Sequence, residues 1–140
     1  MGQSFIRWQG ILISQLGFAN NLVIGLNVGV LGYLMNFIKN ATILNGFQKI
    51  LFWTTCLSIV VSLLTGLILV INRIDDFKIT AKIARKRETN NREGIEQDRN
   101  ESKEIGKKTW NLFVWQISTF FVSLICALVL ILIEHGDKLI

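Results

Sequence analysis

Three stretches of this chain carry no charge, and each is long enough to cross a lipid bilayer. Arg7 and Lys39 bracket 31 uncharged residues, Lys49 and Arg73 bracket 23, and Lys108 and Glu134 bracket 25. A helix rises about 1.5 Å per residue, so roughly 20 residues span the hydrocarbon. Hydrophobic residues make up 51% of the 140 and charged residues 18%. A soluble domain of this length needs more polar surface than that. The expected fold is all-α: an integral membrane helical bundle, residues 1–140 as one membrane domain. Its transmembrane helices are expected at 18–38, 49–72 and 110–133. The chain contains no proline, so nothing forces a kink.

Residues 3–16 mix apolar positions (Phe5, Ile6, Trp8, Ile11, Leu12, Leu16) with polar ones (Gln3, Arg7, Gln9, Ser14, Gln15). They read as an amphipathic start, lying at the interface or leading into the first span. A fourth span here would need a turn near residues 17–21. The opening Met-Gly-Gln-Ser-Phe-Ile has Ile6 where an N-myristoylation signal wants Ser or Thr, and no cleavable signal peptide is expected. Between the first two spans, Asn45-Gly46 is a turn signal. Trp53, Trp110 and Trp115 fall near span ends, where an indole favours the membrane interface.

Orientation follows from Lys and Arg. Residues 72–109 hold 11 of the 15 basic residues and are expected in the cytoplasm. With three spans the N-terminus is then inside and the C-terminus outside. Ile71 to Glu88 has no Gly and favours helix, Thr89 to Gly94 reads as a tip, and 95–108 can return as a second helix. A cytoplasmic basic hairpin over 73–109 is expected; a partly disordered polar loop is the alternative.

The first span carries a small and polar stripe: Gly17, Asn21, Gly25, Gly29, Gly32 and Asn36 share one helical face, with Gly25 and Gly29 forming a GxxxG pair. Asn20 and Asn27 make a second polar line seven residues apart. Amides are unfavourable beside lipid, so these side chains should meet protein or water. They are candidates for helix packing or for lining a hydrated pathway, and both readings favour a homo-oligomer. Thr55, Ser58, Ser62, Thr65 and Gly66 share a face of the second span, and Gln116, Thr119, Ser123, Cys126 and Ala127 one of the third; helix packing is the expected use of both. No Asp, Glu, Lys or Arg lies within a span, which argues against proton pumps and ion-coupled transporters. A pore lined by amides and hydroxyls remains open.

Residues 73–87 carry six basic and two acidic side chains, against five and six in 88–109. Positive charge is thus concentrated beside the membrane. Arg73, Lys78, Lys82, Arg85, Lys86 and Arg87 are candidates for binding an anionic ligand, nucleotide or nucleic acid, or for contact with anionic lipid. Ile74, Phe77, Ala81 and Ala84 form a neighbouring apolar face that suits packing on the returning helix.

Cys56 and Cys126 lie in apolar stretches and read as packing residues. No HxxxH, CxxC, GxSxG or phosphate-loop pattern occurs, so no enzyme, metal site or cofactor is expected.

Two phrases, Arg73-Ile-Asp-Asp-Phe-Lys-Ile-Thr-Ala-Lys-Ile-Ala-Arg85 and Thr109-Trp-Asn-Leu-Phe-Val-Trp-Gln-Ile-Ser-Thr-Phe120, resemble short multi-pass membrane proteins of bacteria. The resemblance covers residues 50–133. Proteins of this build include antiphage membrane effectors such as the Hailong type, a homotetrameric channel held shut by a DNA oligomer. The resemblance implies a channel in the bacterial inner membrane, a homo-oligomer, gated at its cytoplasmic basic helices. The other expectation is a non-catalytic membrane scaffold or accessory subunit. It would bind a partner's helices through the Gly/Asn-rich first span and a cytoplasmic protein through the hairpin.

Overall fold

A computed structural model describes residues 2–40, 44–89 and 93–139, without the side chains of 2–9, 12, 40 and 135–139. Its elements are α1 (Gly2–Asn40), α2 (Gly46–Glu88) and α3 (Ile95–Leu139), of 39, 43 and 45 residues. Among the described residues three segments are long and apolar enough to cross a membrane: Ile13–Lys39, Gly46–Glu88 and Ile95–Glu134. The chain therefore has the build of a multi-pass membrane protein. α1 runs unbroken through residues 17–21, where a fourth span would have needed its turn.

Both ends of α2 and the start of α3 are closed by local devices. Asn45 is the α2 N-cap: its C=O accepts from the Lys49 N–H at 3.0 Å, and its own N–H donates to Gln48 Oε1 at 3.0 Å. This is the returning half of a capping box, so Asn45-Gly46 starts a helix where the sequence suggested a turn. At the other end, the Thr89 N–H donates to the Arg85 carbonyl at 3.1 Å, and the Thr89 hydroxyl donates to the carbonyls of Arg85 (3.0 Å) and Lys86 (3.3 Å), supplying donors to the last turn. Arg85, Lys86 and Arg87 occupy the last turn of α2, and Glu96 and Asp98 the first turn of α3. Both placements oppose the helix dipole favourably. Gly94 takes φ 72° just before α3, a left-handed conformation that only glycine adopts without strain.

The chain forms two compact units: Met1–Leu63 with Ile117–Ile140, and Leu64–Gln116. In the first, α1 turns inward Asn20, Val23, Asn27, Leu34 and Phe37, with Val30 half-buried. α2 contributes Thr55, Ile59 and Ser62, and α3 contributes Phe120, Ser123, Ala127 and Leu130. Steps of three and four residues keep each set on one face, the pattern of helices packed at a shallow angle. Leu34, Phe37, Ile59 and Leu130 form the apolar core, against which Cys56 and Tyr33 pack. Cys56 and Cys126 are free and half-buried. Thr55, Ser62, Ser123 and Ala127, from the two hydroxyl-bearing faces, are on the inside. Large apolar side chains cover the outside, among them Phe18, Met35, Trp53 and Leu57 at 68%, 73%, 70% and 68% exposure. That surface is suited to lipid.

In the second unit Gly66, Leu69 and Ile83 of α2 and Asp98, Thr109 and Gln116 of α3 are buried. Half-buried Ser102, Ile105 and Leu112 complete the α3 face.

Gly94 and Gly106 of this unit should respond oppositely to alanine. A Cβ at Gly94 would sit 3.2 Å from Lys86 Nζ at a positive φ, whereas one at Gly106 meets nothing within 4 Å. Gly94→Ala should lower the stability of the detergent-solubilised protein by about 1 kcal/mol, and helical Gly106→Ala should raise it by up to about 1 kcal/mol. Thermal unfolding followed by circular dichroism measures both; a neutral Gly94→Ala would contradict the left-handed cap.

Candidate functional site

α1 divides the residues singled out in its sequence between two faces. Asn20 and Asn27 are buried at 1% and 0% exposure, whereas Asn21, Gly25, Gly29, Gly32 and Asn36 are exposed. At 3.6 residues per turn, Asn20 and Asn27 fall on the inward line with Val23, Leu34 and Phe37, and the glycine stripe lies off that line. An added Cβ at Gly25, Gly29 or Gly32 meets nothing within 4 Å, so these glycines mediate no close backbone approach among the described residues. Inside, Asn27 Nδ2 donates to Ser62 Oγ at 2.9 Å, joining α1 to α2. Interhelical bonds of this kind contribute about 0.6 kcal/mol on average in membrane proteins.

Gly29 also borders an apolar groove of about 310 Å³ between Leu26, Val30 and Tyr33 of α1 and Leu124, Ala127, Leu128 and Ile131 of α3. Tyr33 Oη donates to Glu134 Oε2 at 3.2 Å. Neither the groove nor this link is visible in the sequence, because Glu134 lies 101 residues from Tyr33 and outside the apolar stretch.

The basic helix is largely paired within its own unit. Lys82 Nζ and Lys86 Nζ both donate to Asp98, at 2.8 and 2.6 Å to its two carboxylate oxygens. The Asp98 side chain keeps only 7% exposure. Lys78 pairs with Asp75 on the same helix at 3.0 Å, and Ser102 Oγ donates to Asp76 at 2.6 Å. Arg73 is half-buried. Arg85 and Arg87 are exposed and make no ion pair among the described residues. They are therefore the two of the six basic candidates most open to an incoming anion.

The apolar strip expected to pack on the returning helix does not do so. Ile74 and Phe77 are 49% and 54% exposed, and Ala81 and Ala84 are exposed as well. The packed face carries Asp76, Ile79, Ile83 and Lys86. The reason is register. Buried Leu69 and Ile83 and half-buried Asp76 fall seven residues apart, continuing Thr55 and Ser62. One seven-residue repeat runs down α2, and it takes precedence over the more apolar strip beside it.

Two lysines on one carboxylate shift its titration. The side-chain hydrogen bonds from Lys82 and then Lys86 hold the Asp98 carboxyl below the usual aspartate range, and the bond to Asp98 raises Lys82. A lowered carboxyl contributes stability fully present above its unfolded pKa and lost as pH falls through the folded value. A raised lysine contributes stability present below its unfolded pKa and lost as pH rises through the folded value. The contact is therefore constant across neutral pH.

Among the described residues no three His, Cys, Asp or Glu side chains come together in a way that could hold a metal ion. No family model matches the chain, and no curated protein or solved structure is detectably similar to it.

Asp98→Asn should remove the acid limb of the stability profile. Wild-type protein should lose stability as pH drops below the ordinary carboxylate range, and the variant should be less stable at neutral pH yet flatter in acid. Unfolding temperatures measured against pH for both proteins test this. Parallel acid limbs would show that Asp98 is not the group titrating.

Proposed function

We propose that this chain is a subunit of a homo-oligomeric channel in the bacterial inner membrane, with residues 73–109 in the cytoplasm. Its gate responds to an anionic nucleotide or nucleic acid, in keeping with the antiphage-effector resemblance. The observation that carries the reading is the outward face of α1, where Asn21, Gly25, Gly29, Gly32 and Asn36 lie exposed within a membrane-spanning segment. An amide facing lipid tails is unfavourable, and small residues give such a face little dispersion contact with lipid. A neighbouring subunit or a hydrated lumen suits it better. The inward amides, packed with Ser62 and the apolar core, suit the protomer's own cohesion, so the conducting path in this proposal runs between subunits.

Eleven of the 15 basic residues in 72–109 support the orientation. The ligand's first contacts are Arg85 and Arg87. A polyanion would also compete with Asp98 for Lys82 and Lys86, exchanging a contact between α2 and α3 for one with the ligand. Gating follows if that exchange changes the pairing of the two helices.

One observation favours the second reading, a non-catalytic scaffold or accessory subunit. The exposed strip of Ile74, Phe77, Ala81 and Ala84 is a surface that a cytoplasmic protein partner could cover.

Reconstitution separates the two. The channel reading expects an oligomeric mass in lipid and ion flux from loaded liposomes. Gly25→Leu/Gly29→Leu should abolish both while leaving the helical content unchanged. Arg85→Ala/Arg87→Ala should weaken binding of a short DNA oligonucleotide about tenfold and reduce the salt slope by about two. A monomer with no flux, with or without oligonucleotide, sinks the channel and leaves the scaffold.

A further inference from the structure

The buried asparagines of the first unit keep unmatched carbonyl oxygens. Asn20 and Asn27 are 1% and 0% exposed, and no donor among the described residues reaches the Oδ1 of either. The hydroxyls on the same inward faces are committed elsewhere. Thr55 Oγ1 donates to the Leu51 carbonyl at 2.7 Å and Ser123 Oγ to the Phe120 carbonyl at 2.7 Å. Asn27 Nδ2 is directed to Ser62 Oγ. This interior is rich in acceptors and poor in donors. A carbonyl oxygen buried without a donor costs roughly 1–3 kcal/mol, a penalty that leucine at either position would avoid.

We propose that this interior binds water at Asn20 and Asn27, forming a buried hydration site inside each protomer. Three properties select water over a monovalent cation. First, the asparagines are two turns apart, roughly 10 Å along the helix, so no single ion reaches both oxygens, whereas hydrogen-bonded waters serve each separately. Second, the buried polar side chains described in this unit are neutral: Asn20, Asn27, Thr55, Ser62 and Ser123, and none offsets an ionic charge. Third, an amide can rotate. With Asn27 turned over, Oδ1 would accept from Ser62 and Nδ2 would face the site. Water serves either orientation because it both donates and accepts, and buried waters typically make about three such bonds; a cation serves only one.

The site follows from the inward face of α1 and stands whether or not the outward glycine face lines a lumen. It also gives the asparagines a role beyond cohesion. Water-mediated bonds can change partner without unpacking the apolar core of Leu34, Phe37, Ile59 and Leu130, so α1 and α2 can adjust against each other at low cost.

The test uses the full chain in lipid nanodiscs, labelled at Val and Ile methyls and at Asn side-chain nitrogen. Water-selective NOE spectra should give cross-peaks at Asn27 Nδ2 and at the methyls of Val23 and Ile59, both buried. Val23 lies between the two asparagines on the α1 face, and Ile59 lies one turn from Ser62. In Asn20→Leu/Asn27→Leu the methyl cross-peaks should vanish while the helical content stays. If the double variant does not fold, Asn27→Leu alone should remove the Ile59 peak. No cross-peaks in the wild type, or peaks persisting in a folded variant, would overturn the proposal. So would Asn27 signals that move when Na⁺ is exchanged for K⁺ at constant ionic strength, since they would identify a bound cation.

Discussion

In hydrocarbon a hydrogen-bonding group has no solvent to turn to, and the three helices are organised by that constraint. Backbone groups bond within each helix, and several of the buried polar side chains are either returned to their own backbone or turned toward another helix. Thr55 and Ser123 take the first course, donating to carbonyls four and three residues earlier, and Thr109 does the same in the second unit at 2.8 Å. Asn27 takes the second, meeting Ser62 across 35 residues of sequence. A short hydroxyl can be satisfied locally, but an amide has too many groups for that. Asn20 and Asn27, seven residues apart, lie on the inward face of α1, while Asn21 and Asn36 lie exposed.

The second unit solves the same problem with charge. Asp98 is nearly covered, and two lysines on α2 converge on it. Removing one partner from such a cluster would leave a poorly solvated charge, which is more damaging than the cluster's net contribution is stabilising. Lys86 keeps 25% exposure and Lys82 58%, so the cluster is partly screened by solvent and pins the register of two helices more than it adds stability.

Much of this was legible in the chain. The charge-free stretches mark the three helices, and the absence of proline agrees with their continuity. The seven-residue separation of Asn20 and Asn27 belongs to the inward line. Two things were not legible. The glycine stripe reads as a packing face by composition, yet among the described residues of the protomer its glycines meet no close neighbour, because a sequence pattern cannot say whether a face meets its own chain, another copy or water. The strip of Ile74, Phe77, Ala81 and Ala84 looks like the natural inner face of α2, but burial went to Asp76, Ile79, Ile83 and Lys86. Local apolarity was outweighed by the register inherited from Thr55, Ser62 and Leu69, together with acceptor and donor partners that only the folded pair supplies.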